Sequence, residues 1–173
     1  MSGVIYRAAR EEDAAALARF GARAFAATFG HLYPAADLAA FLAQTFGQAL
    51  QAREIRDAET DHQLAFHGDG LVGYAKLGAE KLGFAEAGRA ALELHRLYVD
   101  QAWHGTGVAD ALMDWALARA RARGAHDLFL SVYTDNTRAR RFYARYGFAE
   151  IAPYVFMVGA VADADIACRL RLD

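Results

Sequence analysis

The spacing of apolar positions changes rhythm several times along this chain. Val4 to Arg7 alternates, the mark of a short strand. From Glu11 the period lengthens. Ala16, Leu17, Phe20, Ala24 and Ala27 fall on one side of a helix whose first turn, Glu11-Glu12-Asp13, carries the negative charge that suits a helix start. A second helix follows Pro34, with Leu38, Phe41, Leu42 and Phe46 on one face, and a third is predicted over 48–56. Residues 62–67 and 71–77 then predict a hairpin across Gly68-Asp69-Gly70. The connection from Gly78 to Ala91 is too long for a simple turn, so it is either functional or mobile. An apolar run from Leu92 to Val99 reaches a turn carrying Gly105 and Gly107. A helical pattern follows at once, with Ala109, Leu112, Met113, Ala116 and Ala120 on one face and Gly124 as its stop. Leu128 to Val132 reads as a buried strand, and Thr134-Asp135-Asn136 offers an N-cap. Ala139, Phe142, Tyr143 and Tyr146 form one more helical face, closed by Gly147. Short strands are predicted at 148–151, 154–158 and 166–172. Two strand–helix units set among hairpins imply an α/β (mixed α+β) fold, a mixed sheet with helices on both sides, in one domain spanning 1–173.

Composition narrows the function classes. The chain is 55% hydrophobic and 23% charged, which excludes disorder, and its net charge of −2 argues against a general nucleic-acid surface. No apolar run approaches the ~20 residues of a membrane span, and the opening residues contain no apolar leader core, so a cytoplasmic protein with no membrane partner is expected. The one cysteine, Cys168, excludes an internal disulfide and a cysteine-cluster metal site, and no metal is expected. Charge is uneven all the same: eight arginines lie from Arg96 to Arg145, and acidic residues are common from Asp57 to Asp100.

Chemistry concentrates around the glycine-rich turn. Strand, glycine turn and helix handle phosphate well, because the first N–H groups of a helix lack intrahelical partners and glycine lets the backbone approach an anion. A Gly-x-Gly alone is also an ordinary helix start. Neither recurrent fingerprint fits, since Asp110 stands where a dinucleotide motif has its third glycine, and Val108-Ala109 follow Gly107 where a P-loop has Lys-Ser/Thr. The segment Thr28-Phe29-Gly30-His31-Leu32-Tyr33-Pro34 either lines a pocket or packs a helix junction.

Three blocks decide between these readings. Leu97-Tyr98-Val99-Asp100 precedes His104-Gly105-Thr106-Gly107-Val108-Ala109; a strand covers 127–132; and Asn136-x-x-Ala139-x-x-Phe142-Tyr143-x-x-x-Gly147-Phe148 follows. In this order and spacing the chain resembles a GNAT-family N-acetyltransferase over its whole length, best from Leu92 to Ile151. The resemblance implies a central, mostly antiparallel sheet with helices on both faces, and acetyl-CoA as co-substrate. It also implies a pyrophosphate loop at His104, Gly105, Thr106, Gly107, Val108 and Ala109. The family usually has Gln or Arg where His104 or Ala102 stands, often Pro where Gln101 stands, and Gly where Ala109 stands; the loop's contacts come mainly from backbone amides, so cofactor binding is read as intact. A finer likeness, to the spermidine/spermine-type bacterial acetyltransferases, rests on Phe156-Met157-Val158-Gly159 with Asp163 and Asp165, and on Phe25-x-x-Thr28-Phe29.

The same resemblance implies the site. The backbone of Leu97, Tyr98 and Val99 pairs with the pantetheine amides, and Ala139 and Phe142 belong to the cofactor-binding helix. Asn136 bonds the pantetheine arm, caps its helix, or does both. Tyr143 protonates the leaving thiolate, which its normal pKa near ~10 permits, or it packs the helix face with Phe142 and Tyr146. Glu93 and His95, two apart on one strand, are candidates for the base that takes the amine proton, directly or through water; the alternative is an ion-paired Glu93 and a packed His95. Arg138, Arg140 and Arg141 meet phosphate or form a solvated face. The expected reaction is direct acetyl transfer to a primary amine of a small molecule, with a polyamine favoured by Glu80, Glu86 and Glu93. The competing readings are a protein N-terminal or lysine acetyltransferase and a non-catalytic acyl-CoA-binding domain. A homodimer is compatible with the chain, and nothing in the sequence is diagnostic of it.

Overall fold

The computed structural model describes residues 3–173. Its strands are β1 (Ile5–Ala8), β2 (Asp61–His67), β3 (Gly70–Ala79), β4 (Ala91–Val99), β5 (Asp127–Tyr133), β6 (Ala149–Val158) and β7 (Val161–Arg171). The helices are α1 (Ala14–Phe29), α2 (Ala35–Phe46), α3 (Gln48–Arg56), α4 (Val108–Ala122) and α5 (Thr137–Arg145). The strands form one seven-stranded sheet in the order β1-β2-β3-β4-β5-β7-β6, antiparallel except for β4 with β5. The mixed, mostly antiparallel sheet with helices on both faces is therefore observed.

Side-chain alternation sorts the two faces. Leu128, Leu130 and Val132 of β5 join Leu112, Met113 and Ala116 of α4 and the partly buried face of α5 in one core. On the other face α1 and α2 cover the sheet through Leu17, Phe20, Phe25 and Phe46, which meet Leu64, Tyr74 and Val158, and α3 adds the partly buried Ile55. A buried ion cluster fastens α3: Glu54 lies 2.7 Å from Lys76 Nζ and 3.3 Å from Arg96 Nη1. Burial drives the Lys76 ammonium down to about 8, with the Arg96 charge beside it adding to the effect.

Two boundaries depart from the sequence reading. The strands predicted at 148–151 and 154–158 are one strand, β6, which runs through an irregularity between Glu150 and Ala152. Pro153 interrupts the apolar pattern, yet β6 is the edge strand, where a missing N–H leaves no ladder bond unmade. The last strand starts at Val161 rather than Ile166, because a tight turn at Gly159-Ala160 returns the chain at once. Asp163 and Asp165 consequently stand in a strand, on the face away from Ile166 and Cys168.

The connection between β3 and β4 is tied down. Glu80 accepts the N–H groups of Gly83 and Phe84, and Glu93 accepts that of Lys81 at 2.8 Å. Beside its far end Asp127, fully buried, receives Arg89 Nε at 2.7 Å and Arg169 Nη2 at 2.9 Å. Burial alone would raise the Asp127 carboxyl, but the two guanidiniums hold it down to about 2.

Candidate active site

The site begins where the sheet comes apart. β4 pairs with β5 only from Ala91–Glu93 to Asp127–Phe129. Past that point β4 keeps β3 and β5 keeps β7, so the β4 edge from Leu94 to Val99 faces a wedge with no strand in it. A cleft of about 430 Å³ occupies the wedge. It is lined by Leu97, Tyr98 and Val99 of β4, by Asn136, Ala139, Phe142 and Tyr143 around α5, and by Phe25, Phe29 and Tyr33 from the opposite face. The cleft thus passes through the sheet.

A β-bulge sets the phase of the β4 edge. Lys76 stands opposite Arg96 and Leu77 opposite Leu94, so His95 is the extra residue. Leu92 and Leu94 point into the α4 core, as do Leu97 and Val99, which unbroken alternation would not allow. His95 lines the cleft over Gly78, where a Cβ would meet its ring at 3.1 Å. Glu93 is buried, lies 3.3 Å from His95 Nδ1 and is not in the cleft lining. The two candidate bases are therefore brought together, with only His95 at the cleft.

The glycine turn leaves β4 through a capped bend. Asp100 accepts the Ala102 N–H at 3.0 Å, and Trp103 N–H returns to Asp100 O at 2.8 Å. Gly105 and Gly107 have φ of 74° and 89°, a region in which a side chain is strained, although nothing stands within 4 Å of either would-be Cβ. Backbone shape, not crowding, requires glycine here. Gly107 is the N-cap of α4, and the first-turn N–H groups of Val108, Ala109 and Asp110 have no intrahelical acceptor. Gly105, Gly107 and Ala109 line the cleft. Val108 is buried in the core and the Thr106 hydroxyl donates to Trp103 O at 2.7 Å, so neither side chain lines the cleft. His104 Nε2 lies 3.0 Å from Val99 O, and the Arg138 guanidinium hydrogen-bonds the other ring nitrogen, Nδ1. Of the three arginines of α5 singled out, Arg138 lines the cleft, and Arg140 instead pairs with Glu150 at 2.8 Å.

Asn136 Oδ1 accepts the Ala139 N–H at 3.2 Å, the capping role, while its residue also lines the cleft. Tyr143 packs with Phe142 and Phe148, and burial raises its hydroxyl well above the ordinary phenol range, so it is protonated at neutral pH and able to donate. Both readings of Tyr143 are compatible with this position.

Sequence reasoning missed one wall. Ser131 and Tyr133 of β5 and Asp163 and Asp165 of β7 line the cleft on the α1 face. The Tyr33 hydroxyl donates to Asp163 Oδ2, and Phe25 stacks on Tyr33 with centroids 6.1 Å apart. The Thr28 to Tyr33 segment therefore both lines the pocket and packs the helix junction. Glu80 and Glu86 are engaged elsewhere, Glu86 with Arg169 at 2.6 Å, and neither reaches the cleft. The signal for the missed wall was Asp163 and Asp165 two apart, visible once the last strand is taken back to Val161.

Among the described residues no group of His, Cys, Asp and Glu could hold a metal, and no helix is long and apolar enough to cross a membrane. The residues present fit acetyl-CoA: a free strand edge for the pantetheine amides leads to unpartnered N–H groups at a helix start for the phosphates. Comparison with known proteins agrees. The sequence profile described as "Acetyltransferase (GNAT) family" matches residues 15–148. An uncharacterised N-acetyltransferase of Mycobacterium tuberculosis is 34% identical over 148 residues, covering 86% of this chain and 90% of the relative. The PaiA N-acetyltransferase of Thermoplasma acidophilum, solved in complex with coenzyme A, superposes with a TM-score of 0.79 at 17% identity, covering 98% of this chain and 99% of that one. An N-acetyltransferase of Staphylococcus aureus does so with a TM-score of 0.74 at 17% identity, covering 99% and 100%.

Proposed function

Since the chain belongs to the GNAT family of acetyl-CoA-dependent N-acetyltransferases, we propose that it acetylates a primary amine of a small cationic molecule, of the polyamine kind, by direct transfer in a ternary complex. The observation that carries this reading is the cleft that passes through the sheet. The glycine loop opens on the α4–α5 side and the aromatic and acidic wall on the α1 side, so two reactants entering from opposite faces meet at the gap beside the β4 edge. Holding both in one geometry removes much of the entropic barrier to their reaction.

Bound acetyl-CoA supplies the acetyl thioester. The N–H and C=O groups of Leu97, Tyr98 and Val99 add its pantetheine arm to the free edge much as a strand would be added. The backbone of Gly105 to Ala109, His104 among its supports, receives the pyrophosphate at the start of α4. Asn136 steadies the arm, and Ala139 and Phe142 pack against it. Tyr143 donates its hydroxyl proton to the departing sulfur. Burial keeps this hydroxyl protonated at neutral pH, so it is present as a hydrogen-bond and proton donor to the sulfur as the C–S bond breaks.

Thiol release measured over a panel of monoamines, diamines, longer polyamines and peptides with free N-termini tests the reading. Turnover of the di- and polyamines above the neutral-bodied monoamines is expected; turnover confined to the peptides overturns it. For Tyr143→Phe, acetyl-CoA affinity should stay near that of the native enzyme while the single-turnover rate falls by about 10²–10⁴. A native single-turnover rate in that variant removes Tyr143 from the mechanism.

A further inference from the structure

The wall missed by the sequence reading contains a buried carboxylate whose environment is unlike that of Asp13, Glu54 and Asp127. Asp13, Glu54 and Asp127 are each held by arginine or lysine within 2.7 Å. Asp165 is 8% exposed, and among the described residues neither it nor Asp163 forms an ion pair. The groups that face it are Asp163 on its own strand, the hydroxyls of Ser131 and Tyr133 on β5, Tyr154 on β6, Tyr98 on β4, and Tyr33 from the helix junction. All but Asp163 are neutral at physiological pH. An ionised carboxylate buried without a cation is unfavourable, and here the cation is missing on the side that opens to the cleft.

On the reading of the site as an amine acetyltransferase, we propose that Asp165 is the base of the reaction, and that Asp163, held by the Tyr33 hydroxyl, grips a second positive charge on the acceptor. The acceptor class is then a diamine or longer polyamine, with one ammonium group at Asp165 and another at Asp163. The ammonium at Asp165 gives its proton to the carboxylate. The freed nitrogen lone pair forms the C–N bond to the thioester carbonyl carbon as the C–S bond breaks. The sulfur takes the Tyr143 proton, and the second nitrogen proton restores the Tyr143 hydroxyl through water. Asp165 releases its proton to solvent when the product leaves, so the sum is amide, free thiol and one proton.

The two candidate bases on β4 are worse placed. One oxygen of Glu93 accepts the Lys81 N–H at 2.8 Å, and the other lies 3.3 Å from His95 Nδ1. That arrangement makes Glu93 a positioning residue for His95, whose ring then shapes the cleft. The acid–base poise of Asp165 agrees with the geometry. Burial pushes its carboxyl up to about 6, the Ser131 hydroxyl draws it back, and the Asp163 charge raises it further. Such a group is ionised at neutral pH yet basic enough to accept a proton.

The test is the pH dependence of kcat/KM for the best diamine found in the thiol-release panel, in the full-length enzyme and three variants. The native enzyme should lose activity on the acid side with a midpoint near 6. Asp165→Asn should lower kcat/KM at neutral pH by about 10²-fold or more and abolish that acid limb. Acetyl-CoA affinity and thermal stability, measured in parallel, show that the variant is folded. Asp163→Asn should raise KM for diamines over monoamines with little change in kcat, and should move the acid limb to lower pH, because a like charge beside Asp165 is gone. An acid limb that survives in Asp165→Asn, or that disappears in His95→Gln instead, overturns the proposal while leaving amine acetylation intact. A native enzyme that acetylates no amine overturns both.

Discussion

The two ends of the β5–β7 ladder treat a buried carboxylate in opposite ways. At one end Asp127 stands opposite Arg171, where β4 still pairs with β5; at the other Asp165 stands opposite Tyr133, where β4 has left. Asp127 is surrounded by guanidinium groups and driven down to about 2, whereas Asp165 has hydroxyls and one more carboxylate around it and is pushed up to about 6. The same residue type, on neighbouring strands of one sheet, is thus ion-paired at the closed end and left without a cation at the open end. The difference lies in who supplies the cation. At the closed end the chain does so itself, and at the open end, on the proposal made here, the acceptor does.

The sharpest way to break this contrast is Asp127→Asn. It removes the acceptor shared by Arg89 and Arg169, leaving two guanidiniums short of a partner at the base of the wedge. A loss of about 3 kcal/mol in unfolding free energy is expected at pH 7, with the rate per folded molecule little changed. The native stabilisation from Asp127 is present above the unfolded pKa and is lost as pH falls through the folded value near 2, so native and variant stabilities should converge only in strong acid. Denaturant unfolding at several pH values measures both; equal stabilities at pH 7 would show that the arginines do not depend on this carboxylate.

Asp165→Asn should act with the opposite sign. A carboxyl whose folded pKa is raised is harder to ionise in the folded state than in the unfolded chain. Its penalty is fully present above about 6 and fades as pH falls toward the unfolded value. Replacement should therefore stabilise the protein by roughly 2 kcal/mol at pH 7.5 and by little at pH 4, even as activity is lost. A less stable variant at pH 7.5 would mean that Asp165 has a favourable partner in the fold.

The smallest expected effect concerns backbone at the open end. A Cβ at Gly107 meets no neighbour, but Gly107→Val must hold φ near 89°, so the loop should relax and acetyl-CoA should bind at least tenfold more weakly, about 1.4 kcal/mol, by calorimetry. Unchanged affinity would show that the loop tolerates the strain without losing its N–H geometry.

Legibility in the sequence followed the range of the interactions. Helices with a 3.6 period, such as α1, α2 and α4, lie close to where apolar spacing put them, and the glycine loop was visible because positive φ is a local demand that glycine meets. The β6–β7 hairpin was harder. The predicted strands stopped short of Pro153 and began after Asp163 and Asp165, because an edge strand and a cleft wall both tolerate positions that a core strand excludes. Glu80 and Glu86 read as candidates to attract a cation because acidity is local, while their partners come from loop backbone N–H groups and from a strand far along the chain.

By itself the sequence determined the periods, the turns, the helix caps and the motif blocks that identify the family, since each depends on residues within a few positions of one another. The tertiary structure alone decided where β4 leaves β5, that His95 is a bulge, and that Glu93 faces a loop rather than the cleft. It also decided that Asp127 has arginines and Asp165 an opening. The identity of a buried charge's neighbours depends on segments that meet only after folding, and those neighbours set whether the charge is neutralised in place or left to bind and react.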